Sequence, residues 1–106
     1  MAELIWGEES LRDMEDIYDY IARNSPFYAR NQLERIYKSA QHLFRFPELG
    51  RHLPEFQYLP HREIIVDNYR IIYRYDADSD KVIIVSIVHG RRIVTQDLIN
   101  RCGDDV

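Results

Sequence analysis

Residues 82–88 read "VIIVSIV", six β-branched aliphatic residues interrupted by one serine. The run has the length and the β-branched content of a buried strand. A chain that contains it needs further elements to cover it. The run stops at His89, and Gly90, Arg91 and Arg92 follow. A buried strand that ends in an imidazole and two guanidinium groups is a catalytic site, an anion-binding site or a solvated strand end.

The flanking sequence supplies the covering elements. "REIIV" and "YRIIYRY" precede the run and read as two more strands. Asp67-Asn68 joins them in a tight hairpin, and "DADSD" makes the next turn. Links this short give an antiparallel meander. Near the start, "AELIW" is a short strand candidate ended by Gly7. "EESLRDMEDIYDYIARN" then reads as a helix with an apolar stripe of Leu11, Met14, Ile17, Tyr18 and Ile21. "NSP" at 24–26 breaks it, while Ser25 and Pro26 are suited to cap and start a second helix. That helix carries Ala29, Leu33, Ile36, Ala40, Leu43 and Phe44 and ends near "FPELG" at 46–50. The short connector predicts an antiparallel hairpin. "GRHLPEFQYLPH" reads as a loop, and "TQDLINR" as a short terminal helix.

The expected fold class is therefore α+β, ordered β-α-α-β-β-β, with the helical hairpin packed on a curved antiparallel sheet. One domain is expected over 1–98, with a flexible tail at 99–106. A chain of 106 residues is long enough to bury its own core. The single cysteine, Cys102, excludes an intrachain disulfide and fits a reducing, cytoplasmic setting. "MAELIWGEES" lacks the basic start and apolar run of a signal peptide.

Net charge is −4 and the pI is about 5.5. Proteins held to nucleic acid mainly through phosphates are usually basic. The charge is uneven. Residues 1–20 carry seven acids against Arg12 alone, whereas 21–60 carry six bases against three acids. His42, His52 and His61 have no metal-site spacing, and no phosphate loop or nucleophile elbow is present. No metal or cofactor is expected.

The acidic helix ending "YIARNSP", the "FPELGR" turn with "LPE" after it, the "YRIIYRY" strand and "VHGRR" together resemble the RelE/ParE superfamily of toxins from bacterial toxin–antitoxin pairs. The resemblance covers about residues 3–95. It implies the same β-α-α-β-β-β fold and one of two activities: RelE-type members cut mRNA in the ribosomal A site, and ParE-type members act on DNA gyrase. "HGRR" and the "SP…FPELGR…LPE" framework look more like the ParE branch. The resemblance thus implies a gyrase inhibitor rather than an enzyme, with growth inhibition and plasmid stabilisation as the outcome and a cognate antitoxin as partner. The alternatives are a ribosome-dependent mRNA endonuclease and an inactive toxin-fold binding protein.

RNA cleavage beside a 2′-hydroxyl needs a base, an acid and positive charge on the phosphorane. Glu63, Arg70, His89 and Arg92 form the candidate constellation. Arg70 and Arg92 match RelE-type arginines by resemblance, but the position of the RelE-type tyrosine falls near the aliphatic Leu98. In "YRIIYRY", alternation puts Tyr69, Ile71, Tyr73 and Tyr75 on the core face. Arg70, Ile72 and Arg74 then face away from the helices, on a solvated or partner-covered surface. Structural readings stand beside these: His89 ties down a turn, Gly90 permits a bend, and Glu63 is an exposed strand charge or an ion-pair partner of Arg70. Arg51 and Arg62 are expected to pair with Glu48 or Glu55. The candidate partner-binding residues are Arg70, Arg74, Arg91, Arg92, Tyr20, Tyr28 and Tyr37.

Overall fold

A computed structural model describes residues 2–92 and 94–100. β1 (Glu3–Trp6) leads into α1 (Glu8–Ala22) and α2 (Pro26–Gln41), and a short 3-10 turn follows at His42–Phe44. β2 (Arg51–His52), β3 (Arg62–Val66), β4 (Tyr69–Asp76), β5 (Lys81–His89) and α3 (Gln96–Asn100) complete the chain order. The strands form one sheet in the order β1-β5-β4-β3-β2. β1 runs parallel to β5, and the other pairs are antiparallel. The expected α+β arrangement is present. Its additions are β2, two residues inside the segment read as a loop, and the parallel β1–β5 pairing.

Local chemistry explains the boundaries. The Ser25 side chain accepts the Tyr28 N–H at 3.2 Å and Pro26 opens α2, so the break after α1 is also the cap of the next helix. Asp67 takes φ 55° in the two-residue turn between β3 and β4, a region that aspartate tolerates better than bulky residues do. In the following turn the Asp76 carboxylate accepts the N–H of Asp78 at 3.1 Å.

Two cores flank the sheet. On the helix side, Ile36, Ala40 and Leu43 pack against Val66, Ile71, Tyr73, Val82, Ile84 and Ile87. Met14 and Ile17 join them from α1, whereas Leu11, expected in the same stripe, is half exposed. A second core lies on the other face, where Ile72, Ile83, Val85 and Val88 are covered by Leu53, Val94, Leu98 and Ile99. Phe56 and Leu59 pack against its edge. The face expected to be solvated or partner-covered is thus covered by the chain itself, and "VIIVSIV" is buried from both sides. A register shift makes this possible: Ile72 pairs with Ser86 and Tyr73 with Ile84, which leaves Val85 as an extra residue. The bulge places Ile84 and Ile87, three apart, in the same core.

Ile99 is buried in the second core, so the ordered chain runs past the expected boundary at 98. The flexibility expected for 101–106, including Cys102, lies outside the described residues. No helix among the described residues is long and apolar enough to cross a membrane.

Candidate functional site

β3 and β4 place Glu63 opposite Ile72, and β4 places Arg70 opposite Ile65. Glu63 and Arg70 both project toward the second core, where the 53–59 segment crosses the sheet. The Arg70 guanidinium donates through Nη1 and Nη2 to the two oxygens of Glu55, each at 2.8 Å. Its Nε donates to Glu63 Oε1, and Arg51 Nε donates to Glu63 Oε2 at 2.7 Å. Two cations and two carboxylates therefore alternate in one chain, Arg51–Glu63–Arg70–Glu55. The Glu63 and Arg70 side chains are 0% and 8% exposed, whereas that of Glu55 is 28% exposed.

The electrostatics follow from this geometry. Hydrogen bonding from Arg70 holds the Glu55 carboxyl down at about 2, against the opposing effect of burial, with smaller help from backbone N–H groups of Glu55 and Val94. Glu55, then Glu63, raise the already basic Arg70 further. Burying charge is tolerated here because every member is paired.

Several expectations are corrected at this point. Arg70 is not an open charge on a solvated face: its side chain is buried and held by Glu55 and Glu63. Of the two structural readings of Glu63, the ion-pair partner of Arg70 is the one present, and its side chain is buried. Arg51 pairs with Glu63, and not with Glu48 or Glu55. Arg62 donates to the Gly50 carbonyl at 2.8 Å instead of meeting a carboxylate. Sequence reasoning offered Glu55 only as a surface ion-pair candidate. The "LPE" signal was present, but its contact with Arg70 depends on a loop crossing that no local pattern encodes.

The other half of the expected constellation lies on the opposite side. His89 pairs with Tyr69 in the sheet register, and the two rings meet edge to face at 5.8 Å. His89 Nδ1 accepts the Arg91 N–H at 3.2 Å, and its carbonyl accepts the Arg92 N–H at 2.9 Å. The imidazole therefore closes the turn after β5. Gly90 has no left-handed φ. Its N–H donates to the Asn68 carbonyl at 2.7 Å, and an added Cβ would approach that oxygen to 3.3 Å. Close approach to the β3–β4 turn, and not a bend, is what favours glycine there.

His89 and Arg92 line an open groove of about 590 Å³ together with Asp13, Asp16, Tyr20 and Tyr69. Asp13 was not anticipated. Its carboxylate accepts from Ser86 Oγ at 2.8 Å and from the Ile87 N–H at 3.0 Å, which fixes α1 to the bulged part of β5. Arg91 and Arg92 are exposed, and Arg74 is half-buried. Tyr20 and Tyr28 are 69% and 68% exposed, and Tyr37 is 48% exposed while stacking on Trp6 at 5.9 Å. These three tyrosines are surface residues and not core. Among the described residues no group of His, Cys, Asp and Glu has the arrangement of a metal site.

Residues 4–94 match the family described as ParE toxin of type II toxin-antitoxin system, parDE. The chain belongs to this family. It is 34% identical over 93 residues to the Toxin RelE2 of Caulobacter vibrioides, covering 88% of this chain and 100% of that toxin. The fold is shared with a chromosomal ParDE system from P. aeruginosa at TM-score 0.68 and 19% identity, over 84% of this chain and 96% of that one. It is also shared with the RelBE2 toxin–antitoxin complex of Mycobacterium tuberculosis at TM-score 0.62 and 20% identity, over 83% and 96% of the two chains. A free-state mutant of the E. coli toxin RelE aligns at TM-score 0.64 and 14% identity over 100% and 99%. Neighbours of both ParE and RelE type share the fold, so the architecture alone does not select an activity. In this ParE-family toxin, Glu63 and Arg70 lie on one face of the sheet, His89 on the other, and Arg92 in the turn after β5.

Proposed function

We propose that this type II toxin acts on DNA gyrase by binding, without cleaving RNA, and that a cognate antitoxin neutralises it. The observation that carries the reading is the state of Arg70. Its guanidinium is buried and spent on Glu55 and Glu63, so it offers no free charge to a phosphorane. His89 is engaged with the turn N–H on the other face, away from the Glu63–Arg70 pair. A cleaving site needs its acid, base and cationic stabiliser around one reacting atom. Here the Glu63–Arg70 pair and His89 stand on different faces of the sheet, and the net charge of −4 disfavours docking among ribosomal phosphates. Arg91 and Arg92 remain exposed, and they are among the cations available to an acidic protein surface.

Expression in a bacterial host tests this reading. The expected outcome is arrested growth with a DNA-damage response, relieved when the antitoxin is co-expressed. Translation arrest with cut messages would overturn it in favour of the RelE-type activity, and unaffected growth would leave only a binding role.

A further inference from the structure

Arg51, Pro54, Glu55, Ile65, Arg70 and Gly90 line a cleft of about 190 Å³. That is smaller than the roughly 300–1,000 Å³ of ordinary ligand pockets, so it fits one anionic group and not a whole nucleotide. The two carboxylates in it are not equivalent. Glu63 is fully buried on β3, wedged between Arg51 and Arg70, and acts as a fixed counterion. Glu55 is partly exposed and hangs from the turn between buried Leu53 and partly buried Phe56. It meets Arg70 through the two-pronged geometry by which a guanidinium also holds a phosphate.

We propose that Glu55 is an internal anion that occupies a phosphate-oxyanion site built from Arg70 and Arg51, and that it thereby excludes nucleic-acid phosphate from this ParE-family toxin. With Glu55 in place, the four side chains sum to zero charge. Without it, Arg70 keeps one buried counterion, Glu63, against its Nε and Nη2, and presents Nη1 and the outer side of Nη2 to the cleft. Glu55 is then the residue that separates a binding toxin from one able to hold a phosphodiester. The proposal uses the same Arg70 geometry as the gyrase reading, but it is tested without gyrase or ribosomes, so either can fail alone.

The test is a titration of wild-type protein and the Glu55→Gln variant, following the Arg70 Nε–H signal by NMR. Inorganic phosphate is the probe in one arm and a short single-stranded oligoribonucleotide in the other. The expected result is no saturable shift in the wild type and a saturable one in Glu55→Gln. The oligonucleotide affinity should fall with salt at a log–log slope of roughly 0.7, as for one neutralised phosphate. Adding Arg70→Lys, which keeps the charge but loses the fork and its Nε–H, should abolish the gain when the same titration is followed on the backbone N–H signals of residues 51, 55 and 70. Saturation by inorganic phosphate alone would overturn the nucleic-acid part of the proposal, because a strand then cannot enter the site even without the Glu55 charge. A folded Glu55→Gln protein that responds to neither probe would overturn the proposal, and so would a wild type that responds equally. Should Glu55→Gln not fold, Glu55→Asp keeps the charge but shortens its reach. It is expected to bind phosphate more weakly than an open site yet detectably above wild type, and a response identical to wild type would likewise overturn the proposal.

Discussion

The Tyr73 hydroxyl joins two backbone groups of the turn around Gly50: it accepts the Gly50 N–H at 2.8 Å and donates to the Pro47 carbonyl at 2.8 Å. Tyr73 is fully buried in the helix-side core, so this polar tip fixes the 46–50 turn to the middle of β4. Tyr73→Phe removes both bonds and leaves a buried N–H without its acceptor, at a cost of about 1–3 kcal/mol. Gly50→Ala is expected to be at least as damaging. Its Cβ would lie 2.5 Å from the Glu63 carbonyl oxygen and 2.8 Å from the Tyr73 ring, and neither backbone nor ring can yield freely. Urea unfolding measures both. A Gly50→Ala protein with the wild-type midpoint would contradict this packing.

Asp13 links α1 to the sheet through Ser86 Oγ and the Ile87 N–H. Asp13→Ala is expected to cost about 1–3 kcal/mol, because it strands polar groups in a buried strand. Hydrogen exchange at Ile87 should lose protection. Unchanged protection there would show that the helix hairpin is held by apolar packing alone.

Acid sensitivity follows from Glu55. Its carboxyl sits at about 2 in the folded chain against 4.5 unperturbed, so between these values the unfolded chain binds more protons. The Glu55 contribution is therefore complete above about 4.5 and is lost as pH falls through about 2. His61 acts in a separate window. Burial, with the nearby charge of Arg74, holds its pKa below 6.5, so stability from its neutral form is lost as pH falls below that value. Glu55→Gln is expected to flatten the acid limb below pH 4.5 and leave the histidine window in place. An unchanged acid limb would show that the Arg70 pair adds nothing to stability.

How far the sequence foretold these features depends on range. The Ser25-Pro26 cap, the Asp67-Asn68 turn and the helix stripes are encoded by neighbours in sequence, and all were legible except that Leu11 lies outside its stripe's buried face. The alternation in "YRIIYRY" correctly separated Ile71 and Tyr73 from Ile72. What alternation cannot reveal is the cover on the second face. Leu53, Phe56 and Leu59 look like isolated apolar residues in a Pro-rich loop, and only the folded crossing shows them over β4 and β5. The same crossing brings Glu55 to Arg70, fifteen residues away. The division of Glu63 and Arg70 from His89 was hidden for a related reason, since strand period assigns faces only once the register is known.

The two ends of the "HGRR" segment should separate on mutation. Arg92 is exposed beside the groove, so Arg92→Ala is expected to weaken toxicity with little change in stability, and in a binding assay its difference from wild type should shrink as salt rises, because screening removes what Arg92 supplies. His89→Ala removes the acceptor of the Arg91 N–H and the ring contact with Tyr69, so a stability loss of about 0.5–1.5 kcal/mol is expected. Thermal unfolding and growth assays on both variants check this. A His89→Ala protein that is fully stable yet inactive would point to chemistry at the imidazole.

The most direct measurement is a supercoiling assay with purified DNA gyrase and this toxin, free of ribosomes, run beside programmed ribosomes carrying an intact message. The expected result is inhibited supercoiling, reversed by the antitoxin, with the message left whole. Codon-dependent cleavage in the A site, with gyrase unaffected, would contradict the binding mechanism assigned to the buried Arg70 network.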